Sequence, residues 1–365
     1  MSEPDAPLHG VTVLDLSTVG PGRRCAALLA DLGARVIRVA PPATAGRIVP
    51  HVHAYSAGRG TETVTIDLRS DDGRAAFLEL ARDADVILDA FRPGVADRLG
   101  VGAGDVHAVA PQVVYASLTG YGRTGPMASW AGHDLNYQAV GGALAAQGRR
   151  ADGGPALPGA TWADSAGGGM HAALAICAAL VRRASTGRGA DLDVSATDGV
   201  LAATSLVIDD HLATGAPQGP GEGLLTGRYA CHEVYRCADD RWVAVAAIER
   251  RFWTNLCTAL GHPEHAEAQL DDDRQDDIRR DLVATFAMRD RDDWVARLGP
   301  ADTCVSPVLD IDEIATSTYV TGRGLLGEVV GPDGTRFAQL GPVVAGAPAP
   351  DGPVRLDRGQ REVAV

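Results

Sequence analysis

The chain contains no lysine: all 33 of its basic residues are arginine. That absence removes two chemistries. A pyridoxal-phosphate racemase needs a lysine for its Schiff base, and a P-loop needs its Gly-Lys-Ser/Thr. Aromatic residues are scarce at 5%, and no pocket-lining pattern is legible among them. Runs of eighteen or more apolar residues are absent, and Met1-Ser2-Glu3-Pro4-Asp5 carries no basic-then-apolar leader, so the cytoplasm is the expected location. A net charge of −14 argues against nucleic acid or an anionic membrane as partner. The six cysteines show no disulfide-framework spacing. Cys25, Cys177 and Cys257 fall in helical apolar runs and read as small buried hydrophobes. Cys231-His232 with Cys237 matches no zinc spacing and reads better as part of a hairpin, so no metal is expected.

What is present is a chain of 365 residues, 45% of them hydrophobic, enough for two domains. Val11 to Leu16 reads as a buried strand, followed by a Gly/Pro turn over 17–22 and a helix over 23–32. Further strands are expected at 35–39, 64–68, 85–90 and 113–118, with a helix at 73–83. Strands separated by helices of this length imply an α/β fold with a parallel, doubly wound sheet. Gly20-Pro21-Gly22 lacks G-x-G-x-x-G, and Ala40 supplies no acid after the second strand, which argues against NAD. A long apolar helix is expected at 168–183, then a Gly/Pro-rich linker. A hairpin over 233–248 and helices at 251–260, 276–288 and 291–298 suggest a small α+β domain. The expected boundaries are a large domain at 1–195, a linker at 196–229, a small domain at 230–311, and a return to the large domain over 312–365.

Three residues stand out chemically. His133, in Gly132-His133-Asp134-Leu135-Asn136-Tyr137, fits a capping or core histidine or a general base. Asp164 precedes Ser165-Ala166 and three glycines; it fits an N-cap, or an acid at a helix start whose glycines let a ligand approach the backbone and whose N–H groups meet an enolate oxygen. Glu249 fits a first-turn helix acid or the group that fixes an imidazole's tautomer. Asp134 reads as a helix cap. Arg92 follows a strand end, where α/β folds bind ligands, but loop arginines are common. A histidine and an aspartate facing each other across a substrate carbon can take a proton from one side and return one to the other.

The chain resembles the class III CoA-transferase family, and within it the α-methylacyl-CoA racemase branch. The likeness runs almost end to end. It rests on Gly10-Val11-Thr12-Val13-Leu14-Asp15-Leu16, Leu29-Ala30-Asp31-Leu32-Gly33-Ala34, Phe91-Arg92-Pro93-Gly94-Val95, Leu118-Thr119-Gly120-Tyr121-Gly122, Gly132 to Tyr137, Asp164 with its glycines, Leu225-Thr226-Gly227 and Ala247-Ile248-Glu249. It implies a Rossmann-like large domain built from both chain ends, a smaller domain, and an interlocked homodimer. It implies an acyl-CoA thioester as substrate, with no tightly bound cofactor. His133 and Asp164 would be the two bases, and Glu249 of the partner would orient His133. CoA would be held by Arg38, Ile66, Asp67, Leu68, Arg69, Ala90, Phe91, Arg92, Arg98, Gly132, Asp134, Leu135, Asn136 and Tyr137. The sister chemistry is CoA transfer, in which Asp164 would carry CoA as an aspartyl thioester. Against the family pattern, Ala40 replaces an acid, Ser56 to Gly60 a more basic segment, His232 a tyrosine and Asp240 a turn glycine.

Overall fold

Hydrophobic residues on both sides of nearly every early strand dictate the first unit: a parallel sheet that must be covered on two faces. A computed structural model describes residues 5–42, 58–217, 219–331, 333–348, 352–356 and 360–361. The chain folds into two compact units, one comprising Met1–Leu144, Leu157–Leu206 and Thr318–Val365, the other Ala145–Ala156 and Val207–Ser317.

In the first unit the elements run β1 (Thr12–Asp15), α1 (Gly20–Asp31), β2 (Arg35–Ala40), β3 (Thr61–Thr65), α2 (Asp71–Arg82), β4 (Val86–Asp89), α3 (Val95–Leu99), α4 (Ala103–Val109), β5 (Val114–Thr119), α5 (Asp134–Val140) and α6 (Ala143–Ala146). A π-helix (Ala163–Met170) runs directly into α7 (His171–Thr186), followed by β6 (Ala190–Ser195) and α8 (Ala196–Thr214). A last short strand, β13 (Gln360–Arg361), comes from the far end of the chain. The strands order as β13-β3-β2-β1-β4-β5-β6, all parallel. This is the doubly wound order, and the strand sequence reverses between β1 and β4.

Alternate strand residues serve opposite faces. Val13, Leu88, Val114 and Ala116 pack with Cys25, Ala26 and Leu29 of α1 and Ala172 and Ile176 of α7. Leu14, Ile87 and Tyr115 pack on the other face with Phe77 and Ala81 of α2, Ala96 of α3 and Val106 of α4. The continuous helix Ala163–Thr186 is long and apolar enough to cross a membrane, by length and composition. Its buried residues lie against the sheet and α1, while Met170, Leu174 and Val181 are exposed.

Differences from the sequence reading have local causes. The helix α1 begins at Gly20 rather than at 23, because Pro21 is tolerated in a first turn. The strand β3 ends at Thr65, so Ile66 follows it. Helix α8 occupies the first half of the expected linker.

The second unit carries β7 (His232–Arg236), β8 (Trp242–Ala246), α9 (Arg250–Leu260), α10 (Gln275–Phe286), α11 (Arg291–Leu298), β9 (Val305–Pro307) and α12 (Ile311–Ile314). The sheet β7-β8-β9 is antiparallel. Trp253, Leu256, Cys257 and Leu260 recur at helical spacing on α9 and face one core with Tyr235, Phe286 and Trp294. Tyr235 stacks on Phe286 at 5.0 Å between ring centroids. Cys231 and Cys237 are buried in that core. At the β7–β8 turn Asp240 adopts φ +63°, the conformation for which a turn glycine is favoured. The chain then re-enters the first unit through α13 (Thr318–Gly322), β10 (Leu326–Val330), β11 (Arg336–Leu340) and β12 (Val354–Arg355).

Candidate active site

In a doubly wound sheet the crevice lies outside the carboxyl ends of the strands, where the strand order reverses. Here that position is the mouth of β1 and β4. Asp15, at the end of β1, is fully buried; it accepts from the Ser17 N–H at 2.8 Å and from Arg23 Nη1 at 2.8 Å. Arg23 is thereby locked inside the fold. Gly20 opens α1 and lies so close to Asp164 that a Cβ there would stand 3.4 Å from Asp164 Oδ2.

Asp164 stands in the first turn of the π-helix, a rare form that recurs at functional sites. Burial pushes its carboxyl up to about 6; the Asp134 carboxylate adds to the rise, while His133 and Arg24 oppose it. Asp134, His133 and Arg24 therefore all lie within electrostatic reach of Asp164. Asp134 Oδ1 accepts from the Asp164 N–H at 2.8 Å, and its Oδ2 from Gln138 Nε2 at 2.6 Å. Its carboxylate thereby ties α5 to the π-helix and sets where Asp164 stands.

The glycine run also has a different role from the one expected. A Cβ on Gly168 would stand 2.5 Å from Pro21 Cβ, and one on Gly169 2.6 Å from Arg24 Cγ. These glycines let the helix approach α1, not a ligand. The Ser165 N–H donates to Thr161 O at 2.8 Å, so neither it nor the Asp164 N–H is available to an enolate oxygen.

His133 is the N-cap residue of α5, yet the imidazole makes no cap bond. The capping arm comes from Asn136, whose Oδ1 accepts the His133 N–H at 3.1 Å. The ring is left exposed to solvent. The segment is clamped by Tyr137, whose hydroxyl donates to Gly132 O at 2.5 Å and whose ring meets Tyr121 edge-on at 5.1 Å. The Tyr137 ring lies directly on Gly120, where any side chain would collide with it. Burial pushes the Tyr137 hydroxyl up to about 12, Asp164 adds to this, and Arg92 works against it. Arg92 of the β4 loop and the His133 segment after β5 therefore share one electrostatic neighbourhood. Leu135 is exposed.

Other expected CoA contacts fall as follows. Ile66 is buried in the sheet core, and its N–H donates to Ala40 O at 2.8 Å. Leu68 packs against the same core. Asp67 Oδ1 accepts from the Arg69 N–H at 3.1 Å in an exposed turn. Ala90 is half-buried beside Gly22, and Phe91 packs on the α2 side of the sheet. The Arg92 and Arg98 side chains are exposed, and Arg98 Nη1 lies 3.3 Å from the Cβ position of Gly94. Arg38 is half-buried on β2, opposite Asp15. Arg59 is committed to Asp31 at 2.8 Å and to Leu340 O at 2.5 Å, while Ser56 and Ala57 lie outside the described residues.

Glu249 belongs to the second unit. It is the N-cap residue of α9, exposed, and its carboxylate makes no cap bond.

Sequence reading missed two features. Arg24 acts on Asp164 through space; the Arg23-Arg24 pair after Gly20-Pro21-Gly22 was its only signal. A shallow recess at the ends of β4 and β5 is lined by residues including Asp89, Phe91, Asp97, Tyr115 and Arg123. Burial lifts the Asp89 carboxyl to about 6 there.

The sequence pattern of CoA-transferase family III matches residues 8–357. The human alpha-methylacyl-CoA racemase is 33% identical over 318 residues, covering 87% of this chain and 81% of the relative. An acetyl-CoA:oxalate CoA-transferase of Acetobacter aceti is 33% identical over 342 residues, covering 89% and 86%. The crystal structure of a CAIB/BAIF family protein from Brucella suis superposes with a TM-score of 0.76 at 27% identity, covering 97% of this chain and 95% of that one.

Proposed function

Because the chain belongs to CoA-transferase family III, we propose that it inverts the α-carbon of 2-methylacyl-CoA thioesters by two-base proton transfer. The observation that supports this reading is an imidazole free of capping duty within electrostatic reach of a carboxyl raised to about 6. A carboxyl of ordinary pKa 3.8 is protonated in roughly one molecule in 1,600 at pH 7; at about 6 it is protonated in roughly one in ten. Such a group can both give and take a proton near neutrality.

In this reading His133 removes the α-proton from one face. The C–H electron pair moves onto the thioester oxygen to give an enolate. Asp164, as the carboxylic acid, delivers a proton to the other face, and the enolate collapses to the inverted thioester. His133 is left protonated and Asp164 ionised, and exchange with water resets both. Arg38, Arg92 and Arg98 receive the CoA phosphates, for which a guanidinium fork is well shaped. Glu249 from a second copy of the chain fixes the His133 tautomer in a homodimer. Trp130 and Trp162, close in sequence to the two bases and 60% and 58% exposed, offer apolar surface to the acyl group. We place the enzyme in the cytoplasm, acting without a tightly bound cofactor.

A second reading, CoA transfer, is favoured by the Acetobacter aceti relative at the same 33% identity. Asp164 would then attack the thioester and hold CoA as an aspartyl thioester. The two separate by following (2R)-2-methylacyl-CoA alone and with a free carboxylic acid, in the presence of hydroxylamine. Formation of the (2S) thioester without added acid supports racemisation. Trapping of Asp164 as the hydroxamate, with turnover only when acid is supplied, overturns it.

A further inference from the structure

We propose that His262, His265 and Asp281 form a binding site for a divalent late first-row metal in the second unit, apart from the acyl-CoA chemistry. One ligand atom from each of the three lies within 4.8 Å of the others.

The backbone builds the arrangement. Helix α9 ends at Leu260, with Gly261 as its C-cap, and the His262 N–H donates back to Cys257 O at 2.8 Å. The His265 N–H donates to His262 O at 3.1 Å, which fixes the His262-Pro263-Glu264-His265 turn. Trp253 Nε1 donates to His265 O at 2.9 Å from within the core. The two imidazoles are therefore held nearly parallel, with centroids 5.5 Å apart and planes 19° apart. Both aim Nε2 at one face of α10. His265 Nε2 pairs with Asp281 Oδ2 at 2.8 Å, and His262 Nε2 with Thr285 Oγ1 at 2.8 Å. Asp281 and Thr285 are one helical turn apart, so the two rings face adjacent rungs of the same helix.

A second observation points to a ligand. His265 is 2% exposed, yet among the described residues its Nδ1 is buried without a hydrogen-bond partner. Buried polar atoms are rarely left without a partner, so this ring calls for an explanation beyond packing. Glu264 Oε1, 3.3 Å from His262 Nδ1, orients the outer ring as carboxylates commonly orient metal-ligating histidines, and leaves its Nε2 to face the site. Two imidazoles and one carboxylate suit Zn²⁺, Co²⁺ or Ni²⁺ rather than Ca²⁺ or Mg²⁺, and three ligands leave a position for water.

The test uses the full chain, without a polyhistidine tag, titrated with ZnCl₂ and CoCl₂ at pH 7.5. About one equivalent of Zn²⁺ per chain is expected, with an unfolding midpoint that rises with the logarithm of free metal. His262→Gln and Asp281→Asn should each weaken binding at least about ten-fold. Binding should also weaken as pH falls through the histidine range, because ligation needs neutral imidazole. The visible spectrum of Co²⁺ on the unaltered chain reads the ligand set without any variant, and an intense four- or five-coordinate band is expected. A spectrum identical to aqueous Co²⁺, or Zn²⁺ uptake that both substitutions leave unchanged, overturns the site.

Discussion

Replacing Asp164 by asparagine should stabilise the protein at neutral pH while removing one of its two bases. Among the described residues the Asp164 side chain makes no hydrogen bond, so asparagine loses no partner. The carboxyl is raised from 3.8 to about 6, a shift of roughly 2 units and nominally about 3 kcal/mol. The side chain is partly open to water, and screening reduces this to about 1.5 kcal/mol. Because the folded pKa lies above the unfolded one, the fold favours the protonated form. The ionised form carries the penalty in full above about pH 6, and the penalty disappears below about 3.8. Asparagine does not titrate, so its advantage should be near 1.5 kcal/mol at pH 8 and fade towards pH 4. At 2–4 °C per kcal/mol that is about 3–6 °C in Tm. Thermal unfolding of both proteins from pH 4 to 8, followed by circular dichroism, reads the difference. A gain that does not change with pH, or a loss of stability at pH 8, would refute the argument.

Other consequences follow from individual contacts. Arg24→Leu removes a charge that holds Asp164 down, so the Asp164 limb of the pH–rate profile should move to higher pH; no movement, or a downward one, contradicts the placement. Gly168→Ala drives a methyl group to 2.5 Å from Pro21 and should cost about 1–3 kcal/mol in urea unfolding. Arg23→Leu leaves Asp15 buried without its counter-ion and should cost about 3–5 kcal/mol, measured the same way; a change within experimental error in either would contradict the packing described.

The parallel sheet was legible because its strands are short apolar runs separated by helices of regular length. Val13 and Leu14 illustrate why: both are apolar because each face of β1 is covered. The site was legible only in its residue types. His133 and Asp164 are short motifs, but what sets them up is long-range. The Asp134–Asp164 bond spans thirty residues, and no local pattern announces it. The π-helix was not legible, and the close approach of Gly168 to Pro21 beside it is a tertiary contact that no local pattern announces. For the same reason the glycines were read as room for a ligand. Ile66 was assigned to the site through the family likeness alone, and its side chain is buried in the core.

The most direct test of the central claim is isotope exchange. The chain incubated with a 2-methylacyl-CoA in D₂O should gain deuterium at the α-carbon, without any free carboxylic acid, and His133→Ala should suppress the gain. Failure to take up α-deuterium into any branched acyl-CoA, while CoA moves between two carboxylic acids, would contradict it.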